Sequence, residues 1–388
     1  MALGRAHGLD AVGVAPAAPF DSTLQDLRQR KARGLHGGMN FTYRSPERST
    51  DPQRALPGAQ ALVVGALSYL QHHATRRTQD VATLDRPMGT VARYARVDHY
   101  ADLRRALGVL ADHLGQHGWR ARVLADDNAL VDREAAYRAG LGWYGKNSNL
   151  LLPGAGSWFV LGSVLTDAPL DAGAHGERVP DGCGSCTRCL DGCPTGAIVA
   201  PGVVDARRCL AWLLQADGAF PREHRVALGD RIYGCDDCQE VCPPNRRVVR
   251  ATASPVRGGG ERQPAWSSAT ATGDHARADL LEMLALSDAE LLARYGRWYI
   301  PARQPRYLRR NALVVLGNVG EPHDQRVVAA LRVALADVDP LVRAHAVWAA
   351  RRLGHDHLIS TVPGLENDPA PLVREELTAP VESLQATR

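Results

Sequence analysis

All eight cysteines of the chain lie between Cys183 and Cys242, and their spacing is that of iron–sulfur ligation. The first run is Cys183-x2-Cys186-x2-Cys189-x3-Cys193-Pro194, and the second is Cys235-x2-Cys238-x3-Cys242-Pro243, with Cys209 alone between them. A C-x2-C-x2-C-x3-C-P run lets one short loop wrap three thiolates around an inorganic core, while its fourth cysteine serves a second core. Eight thiolates suffice for two [4Fe–4S] clusters. The exchange rule assigns Cys183, Cys186, Cys189 and Cys242 to one cluster and Cys193, Cys209, Cys235 and Cys238 to the other. Structural zinc is the alternative for paired C-x2-C motifs, but zinc requires neither the third C-x2 step nor the C-P ending. Nothing N-terminal resembles a signal peptide, so a reducing cytosol and free thiols are expected rather than disulfides.

Two other stretches are too polar for a core. Asp126-Asp-Asn-Ala-Leu-Val-Asp132-Arg133-Glu134 follows a candidate strand. A carboxyl there can donate a proton if burial raises its pKa. By spacing alone the stretch reads first as a helix start, with Asp127 or Asn128 as the N-cap. Ala139-Gly-Leu-Gly-Trp-Tyr-Gly-Lys146-Asn147-Ser148 carries three glycines beside a lysine and an asparagine. Such a stretch suits close backbone approach to a bulky polar ligand, or simply a solvated turn.

The elements that must position these residues fall into successive regions. Residues 1–165 read as α/β, with strands expected at Ala11–Ala15, Ala61–Leu67 and Ala121–Ala125 and a helix over Tyr100–Gly118. Leu150 to Leu165 reads as two strands joined by a Pro/Gly turn. No G-x-G-x-x-G opens a helix after a strand, which argues against a dinucleotide site. Residues 166–250 form the cysteine module. Residues 251–278 read as a linker, including Gly258-Gly-Gly260. Residues 279–388 read as all-helical with a weak repeat. Pro340-Leu341-Val342-Arg343 recurs as Pro371-Leu372-Val373-Arg374, and Leu308-Arg309-Arg310-Asn311-Ala312 resembles Val342-Arg343-Ala344-His345-Ala346. These offsets suit paired-helix repeats of the HEAT kind. Arg294, Arg297, Arg303, Arg306, Arg309 and Arg310 crowd one segment with Trp298, Tyr299 and Tyr307. That mixture suits phosphates and unstacked bases, or a solvated helix face. Net charge is only +4, and only Lys31 and Lys146 are lysine, so arginine abundance alone says little about partners. No stretch approaches 18 uncharged apolar residues, so no membrane span is expected.

Taken together, these residues resemble the epoxyqueuosine reductase family, cobalamin-dependent iron–sulfur enzymes that complete the queuosine base in tRNA. The resemblance rests on His36-Gly-Gly-Met39, Leu56-Pro57-Gly58, Arg93-Tyr94-Ala95, Ala139-Gly-Leu-Gly-Trp143 through Gly145-Lys146-Asn147, and Gly156-Ser157. It continues through the first cysteine run, Val204-Asp-Ala-Arg-Arg-Cys209, Arg231-Ile-Tyr-Gly-Cys235-Asp-Asp-Cys238-Gln239, and Leu308-Arg-Arg-Asn-Ala-Leu313 with Leu316-Gly-Asn318. It implies an α+β/α/β architecture. The parts are a nitroreductase-like cobalamin-binding domain over 1–165, a ferredoxin-like two-cluster module over 166–250, a linker over 251–278 and HEAT-like tRNA-binding repeats over 279–388. It further implies reduction of epoxyqueuosine to queuosine at the wobble position, with Asp126, thirteen positions before Ala139, as proton donor. Base-off cobalamin is then contacted by Arg44, Arg93, Tyr94, Asp126, Lys146, Asn147, Leu210, Gly234 and Asp236. The anticodon stem-loop is held by Arg306, Arg309, Arg310 and Asn311. The implied setting is a cytoplasmic monomer, off the membrane, reduced by an external flavodoxin or ferredoxin.

The chain departs from the family pattern at three places. Val97-Asp98-His99-Tyr100-Ala101 stands where many members carry Gly-Arg-Asp-Tyr-His, Ser163 replaces a glutamate and Pro244 a tryptophan. These departures are expected at the pocket wall and rim. Two other readings differ in class. A plain ferredoxin-type electron carrier needs only the cysteine module and leaves about three hundred residues unexplained. A related cobalamin reductase acting on a small epoxide or halide keeps the cofactors but not the arginine-aromatic tail.

Overall fold

The computed structural model describes residues 1–70, 86–171, 179–253 and 276–384. The linker expected over 251–278 lies largely outside the described residues. The chain divides into two compact units, each drawn from three segments. The first takes residues 1–74, 97–209 and 236–274, and the second takes 75–96, 210–235 and 275–388. Along the described chain the strands are β1 (Ala11–Pro16), β2 (Ala61–Ser68), β3 (Met88–Val91), β4 (Ala121–Leu124), β5 (Trp143–Tyr144), β6 (Leu150–Leu151), β7 (Phe159–Thr166), β8 (Ile198–Ala200), β9 (Val203–Val204), β10 (Arg231–Tyr233) and β11 (Arg277–Asp279).

The first unit is built on a four-stranded sheet of order β1-β2-β7-β4, antiparallel at every pairing. β2 reads as one apolar run because both faces of the sheet are covered. Leu62, Val64 and Ala66 join Ala135, Ala136 and Ala139 in one core. The opposite face receives the helix His99–Gln116, whose Leu103, Ala106, Leu107 and Leu110 are buried on one stripe. Asp98 starts that helix by accepting the Ala101 amide at 3.0 Å. Gly65 and Gly162 are cross-strand partners. A Cβ at Gly65 would lie 3.1 Å from the Leu107 side chain, and one at Gly162 would lie 2.8 Å from it. The helix therefore seats a leucine where two adjacent strands have no side chain.

The strands expected at 11–15, 61–67 and 121–125 are present, and the helix expected from Tyr100 runs from His99 to Gln116. The 150–165 stretch does hold two strands, but they do not pair with each other. β6 pairs with β5, whereas β7 lies between β2 and β4 in the sheet. The departure at Ser163 is not on a rim: it is fully buried in β7, opposite Val64 and Leu124.

The second unit centres on the sheet β10-β3-β11, with β10 parallel and β11 antiparallel to β3. Helices Arg306–Val319, Gln325–Leu335, Pro340–Arg352 and Pro371–Thr378 form its repeat layer. They share a core with Val91, Leu213, Leu228, Ile232 and Met283. The repeat reappears in side-chain use. Arg309 donates to the Leu286 carbonyl at 2.8 Å, Arg343 to the Asp337 carbonyl at 2.8 Å, and Arg374 to the Asp368 carbonyl at 2.9 Å. Arg343 and Arg374 thus tie their helices to the loop before each, whereas Arg309 reaches the loop after the helix Leu280–Ala285. Asp339 caps Pro340–Arg352 through the Leu341 amide at 2.8 Å. Among the described residues no helix is long and apolar enough to cross a membrane.

Gly162→Ala tests the glycine seat. The added methyl would press on Leu107, on Ala125 and on the Leu124 carbonyl. The expected cost is about 1–3 kcal/mol, read as a lower denaturant midpoint with unchanged slope.

Candidate functional site

In the first unit, an acidic group gathers just past β4. Asp126 has φ +54°, a left-handed conformation that is uncommon for a residue with a Cβ. The loop after it is pinned from below. Asp127 accepts the Ala129 amide at 2.8 Å, Ser49 donates its hydroxyl to the Asn128 carbonyl, and the Val131 amide donates to the Ser49 carbonyl at 3.0 Å. The expected helix start at Asp127 or Asn128 is corrected here. Asp127 closes a local turn, and the helix Asp132–Arg138 begins only after Val131.

Asp126 remains open to solvent on one side. Partial burial still raises its carboxyl above the ordinary aspartate value, while Arg104 opposes the shift and Asp127 adds to it. Asp132 has one carboxyl oxygen, Oδ1, shut off from solvent without a hydrogen-bond partner. Burial first, then the charge of Asp126, pushes Asp132 well above the usual carboxylate range, partly offset by the Asp126 backbone amide. Burial, Asp126 and Asp132 together raise the Tyr100 phenol. The cluster can therefore hold protons at pH values where ordinary aspartates have lost them, which is what a general acid requires. Tyr100 was named from the sequence only within the Val97–Ala101 departure and as the start of the expected helix, and Arg104 was not singled out. They come from one turn of a helix expected for its leucines.

The cysteine loops belong to the same unit from Cys183 to Cys209 and from Cys238 to Cys242. Burial raises the Cys242 thiol to about 11, and Cys183, Cys189 and Cys186 add to the rise. Cys189 is likewise raised by burial, then by Cys183, with a smaller part from Cys186. Cys242 of the second run thus stands among the three cysteines of the first. Among the described residues no three His, Cys, Asp or Glu side chains could share a single metal ion. Cys193 Sγ accepts the Ala197 amide at 3.2 Å, and Cys209 closes the 3₁₀ turn Ala206–Arg208.

The turn from Gly145 to Asn149 reaches both runs. Lys146 Nζ donates to the Gly184 carbonyl at 2.7 Å, and Asn147 Nδ2 donates to the Cys238 carbonyl at 3.2 Å. The second run is also fixed to the start of β7. Ser157 and Tyr69 donate their hydroxyls to Gln239 Oε1 at 3.0 and 3.1 Å. Asn245 donates to Ser157 Oγ and to the Gln239 carbonyl, both at 2.9 Å, and accepts the Ser157 amide at 2.7 Å. Sequence reasoning missed this network. Its only signal was that Ser157 and Gln239 stand in stretches carrying the family resemblance. The remaining first-unit candidates are Arg44, exposed in a turn, and Asp236, whose carbonyl starts the short helix Asp237–Glu240.

In the second unit, Arg93 and Tyr94 form a 3₁₀ turn after β3, and the Tyr94 hydroxyl accepts from Gln215 at 3.3 Å. Leu210 is buried, and Gly234 packs so closely on Ala92 and Tyr94 that a Cβ would collide with both. The nucleic-acid expectation needs correcting at three residues. Arg310 is fully buried, and its guanidinium donates to the carbonyls of Ala216 and Gly218, both at 2.7 Å, and of Leu213 and Leu214. Asn311 is buried and donates to the Leu214 carbonyl at 2.9 Å. Arg309 is spent on Asp288 and the Leu286 carbonyl. Of the four, Arg306 alone keeps a substantial exposed side chain, 3.5 Å from Asp339. Trp298 is stacked on Tyr233 at 4.5 Å and Tyr307 is buried, whereas Tyr299 is 56% exposed between the exposed Arg297 and Arg303. Ala302 and Arg303 both have positive φ.

Comparison with known proteins agrees with these two halves. Residues 182–245 match the 4Fe-4S double cluster binding domain family, and residues 301–379 match HEAT repeats. The chain is 36% identical to an epoxyqueuosine reductase of Xanthomonas campestris, over 84% of this chain and 88% of that one. It is 36% identical to one of Pseudomonas aeruginosa over 90% and 92%, and 30% identical to one of Bacillus cereus over 92% and 88%. A crystal structure of epoxyqueuosine reductase with an epoxyqueuosine-modified tRNA-Tyr stem loop superposes with a TM-score of 0.80 at 29% identity, covering 96% of this chain and 94% of that one. The Bacillus subtilis enzyme, with its catalytic aspartate loop swung out of the active site, gives 0.79 at 29% identity, covering 96% and 95%.

Two predictions follow from the geometry. Arg310→Ala leaves several buried carbonyls unpaired, each costing about 1–3 kcal/mol, so thermal unfolding should fall sharply or expression should fail. Asp132→Asn should raise stability more at pH 8 than at pH 5. A carboxyl whose folded pKa exceeds its unfolded one favours folding in acid, and that contribution is lost as pH rises through the folded value. Asparagine removes the loss, so melting temperatures across that range decide the sign.

Proposed function

Because the chain belongs to the epoxyqueuosine reductase family, we propose that it reduces epoxyqueuosine to queuosine at the wobble position of tRNA, with Asp126 as the proton donor. The observation that carries the residue assignment is the Asp126 carboxyl itself, raised by partial burial and held past β4 in a left-handed conformation. Converting an epoxide to an alkene takes up two electrons and two protons and releases water. Cobalamin and two [4Fe–4S] clusters, when bound, supply the nucleophilic metal and the single electrons. The chain's own residues supply position and protons.

Opening the epoxide builds negative charge on its oxygen, and a carboxyl raised above the ordinary aspartate range can discharge it by donation. Asp132 and Tyr100 stand behind that carboxyl as further proton-holding groups. The partnerless Asp132 Oδ1 fits a site whose last polar partner arrives with what binds there. Cys183, Cys186, Cys189 and Cys242 would hold one cluster, in keeping with the mutual influence of their thiols. Cys193, Cys209, Cys235 and Cys238 would hold the other, as the exchange rule assigns. We read residues 1–165 as the nitroreductase-like cobalamin-holding part. Arg44, Asp126 and Asp236 would contact the cofactor, as would Arg93, Tyr94, Leu210 and Gly234. Lys146 and Asn147, turned toward the cysteine loops, would hold the wall beside it. For the anticodon stem-loop, the exposed side chains of Arg297, Tyr299 and Arg303 with Arg306 would meet phosphate and an unstacked base, although Arg297 and Arg303 also donate to the carbonyls of Arg96 and Gly296. We take the protein to act as a cytoplasmic monomer reduced by a flavodoxin or ferredoxin.

Asp126→Asn is the decisive variant. Asparagine keeps the shape but has no proton to give, so turnover should fall by roughly 10²–10⁴-fold while about eight irons and cobalamin uptake are retained. Mass analysis of tRNA from a deletion strain carrying the variant should show epoxyqueuosine in place of queuosine. Normal queuosine would assign the proton to another group.

A further inference from the structure

The Gly145–Asn149 turn, read above as part of the cofactor wall, also brings a lysine to the first cysteine loop. Lys146 Nζ is held 2.7 Å from the Gly184 carbonyl, inside the first cysteine loop between Cys183 and Cys186. That loop is itself ordered by the Cys186 amide, which donates to the Cys183 carbonyl at 3.0 Å, and by the Cys183 amide, which donates to Asp181 Oδ1 at 2.8 Å. The Lys146 carbonyl accepts the Gly202 amide at 2.9 Å, and the next residue, Asn147, is buried and holds the Cys238 carbonyl. The backbone that carries the ammonium is therefore fixed at both ends. In a chain with only two lysines, this one delivers a positive charge to the loop that carries three of the four cysteines assigned to one cluster.

Resting on the two-cluster reading, we infer that Lys146 is a positioning and tuning residue. Its ammonium holds the Cys183–Cys189 loop and raises the reduction potential of the cluster ligated by Cys183, Cys186, Cys189 and Cys242. The physical cause is charge. Reduction adds one electron to a cluster already surrounded by four thiolates, and a fixed cation beside it favours the reduced form. Asp181, which faces the same loop through the Cys183 amide, acts in the opposite sense. Arg188 and Asp191 lie exposed on the following short helix and are not held to the loop backbone between Cys183 and Cys186 as Lys146 is. Cys193, Cys209, Cys235 and Cys238 make no use of this loop, so the second cluster should be little affected.

The test is a redox titration of the reconstituted full chain without cobalamin, followed by electron paramagnetic resonance, together with iron content. The unsubstituted protein should hold about eight irons and show two midpoints. Lys146→Met should keep the iron and lower one midpoint only. Lys146→Arg, which keeps the charge and a donor, should restore it. Asp181→Asn, which keeps the acceptor and loses the charge, should raise the same midpoint, and it carries the test alone if Lys146→Met does not load. A Lys146→Met or Asp181→Asn protein with both midpoints unmoved overturns the inference, as does an equal shift of both. Fewer than eight irons in the unsubstituted protein would instead overturn the two-cluster reading beneath it.

Discussion

A buried set of hydrogen bonds between the start of β7 and the second cysteine run is the constraint on which the first unit depends. Ser157, Gln239 and Asn245 are each nearly or fully buried, and their side chains answer one another's donors and acceptors. A buried amide or hydroxyl without a partner is costly, so the network is favourable only when all members are in place. That makes it specific. Asn245 must come within reach of Ser157, and Gly156 is a glycine because a Cβ would collide with the Asn245 amide. Once the second run is seated, Cys242 is brought among the cysteines of the first run. The position of the second run is then set by the protein's own hydrogen bonds to the start of β7.

The acidic cluster depends on the same sheet at its other side. Asp126 follows β4, whose partner β7 begins beside the Ser157 network. Its left-handed backbone is a local strain, offset by the many bonds that pin residues 127–131. The partial burial that lifts the Asp126 carboxyl is set by this anchored loop.

The parts that were legible in the sequence are those whose physics is local. Cysteine spacing is set by the reach of one loop around a small core, so the double-cluster module could be read directly. Apolar runs and the leucine stripe of His99–Gln116 likewise report burial within a few residues. What was not legible depended on distant partners. β6 and β7 looked like a hairpin because they are neighbours in sequence, but each is paired elsewhere. Arg309, Arg310 and Asn311 had the composition of a phosphate-binding stretch. Only the tertiary structure shows that four backbone carbonyls around Leu213–Gly218 take up Arg310. Polar identity does not distinguish a side chain that satisfies the protein's own backbone from one that waits for a ligand.

The interleaving of the two units constrains how the chain can be made and cut. The first unit is incomplete until Asn245 exists, because Ser157 needs it, and by then residues 86–96 and 210–235 of the second unit have already been synthesised without their helical partners. Those segments must wait, with Ile232 and Leu213 uncovered, until the helices after residue 279 emerge. On the ribosome the first unit can therefore close only after Asn245, and the second only after its last helix, Pro371–Thr378, through long-range pairing that is intrinsically slow. For the same reason no single cleavage point yields either unit whole. A shortened version that keeps one of them would need two junctions rejoined, at the places where the chain crosses from one unit to the other.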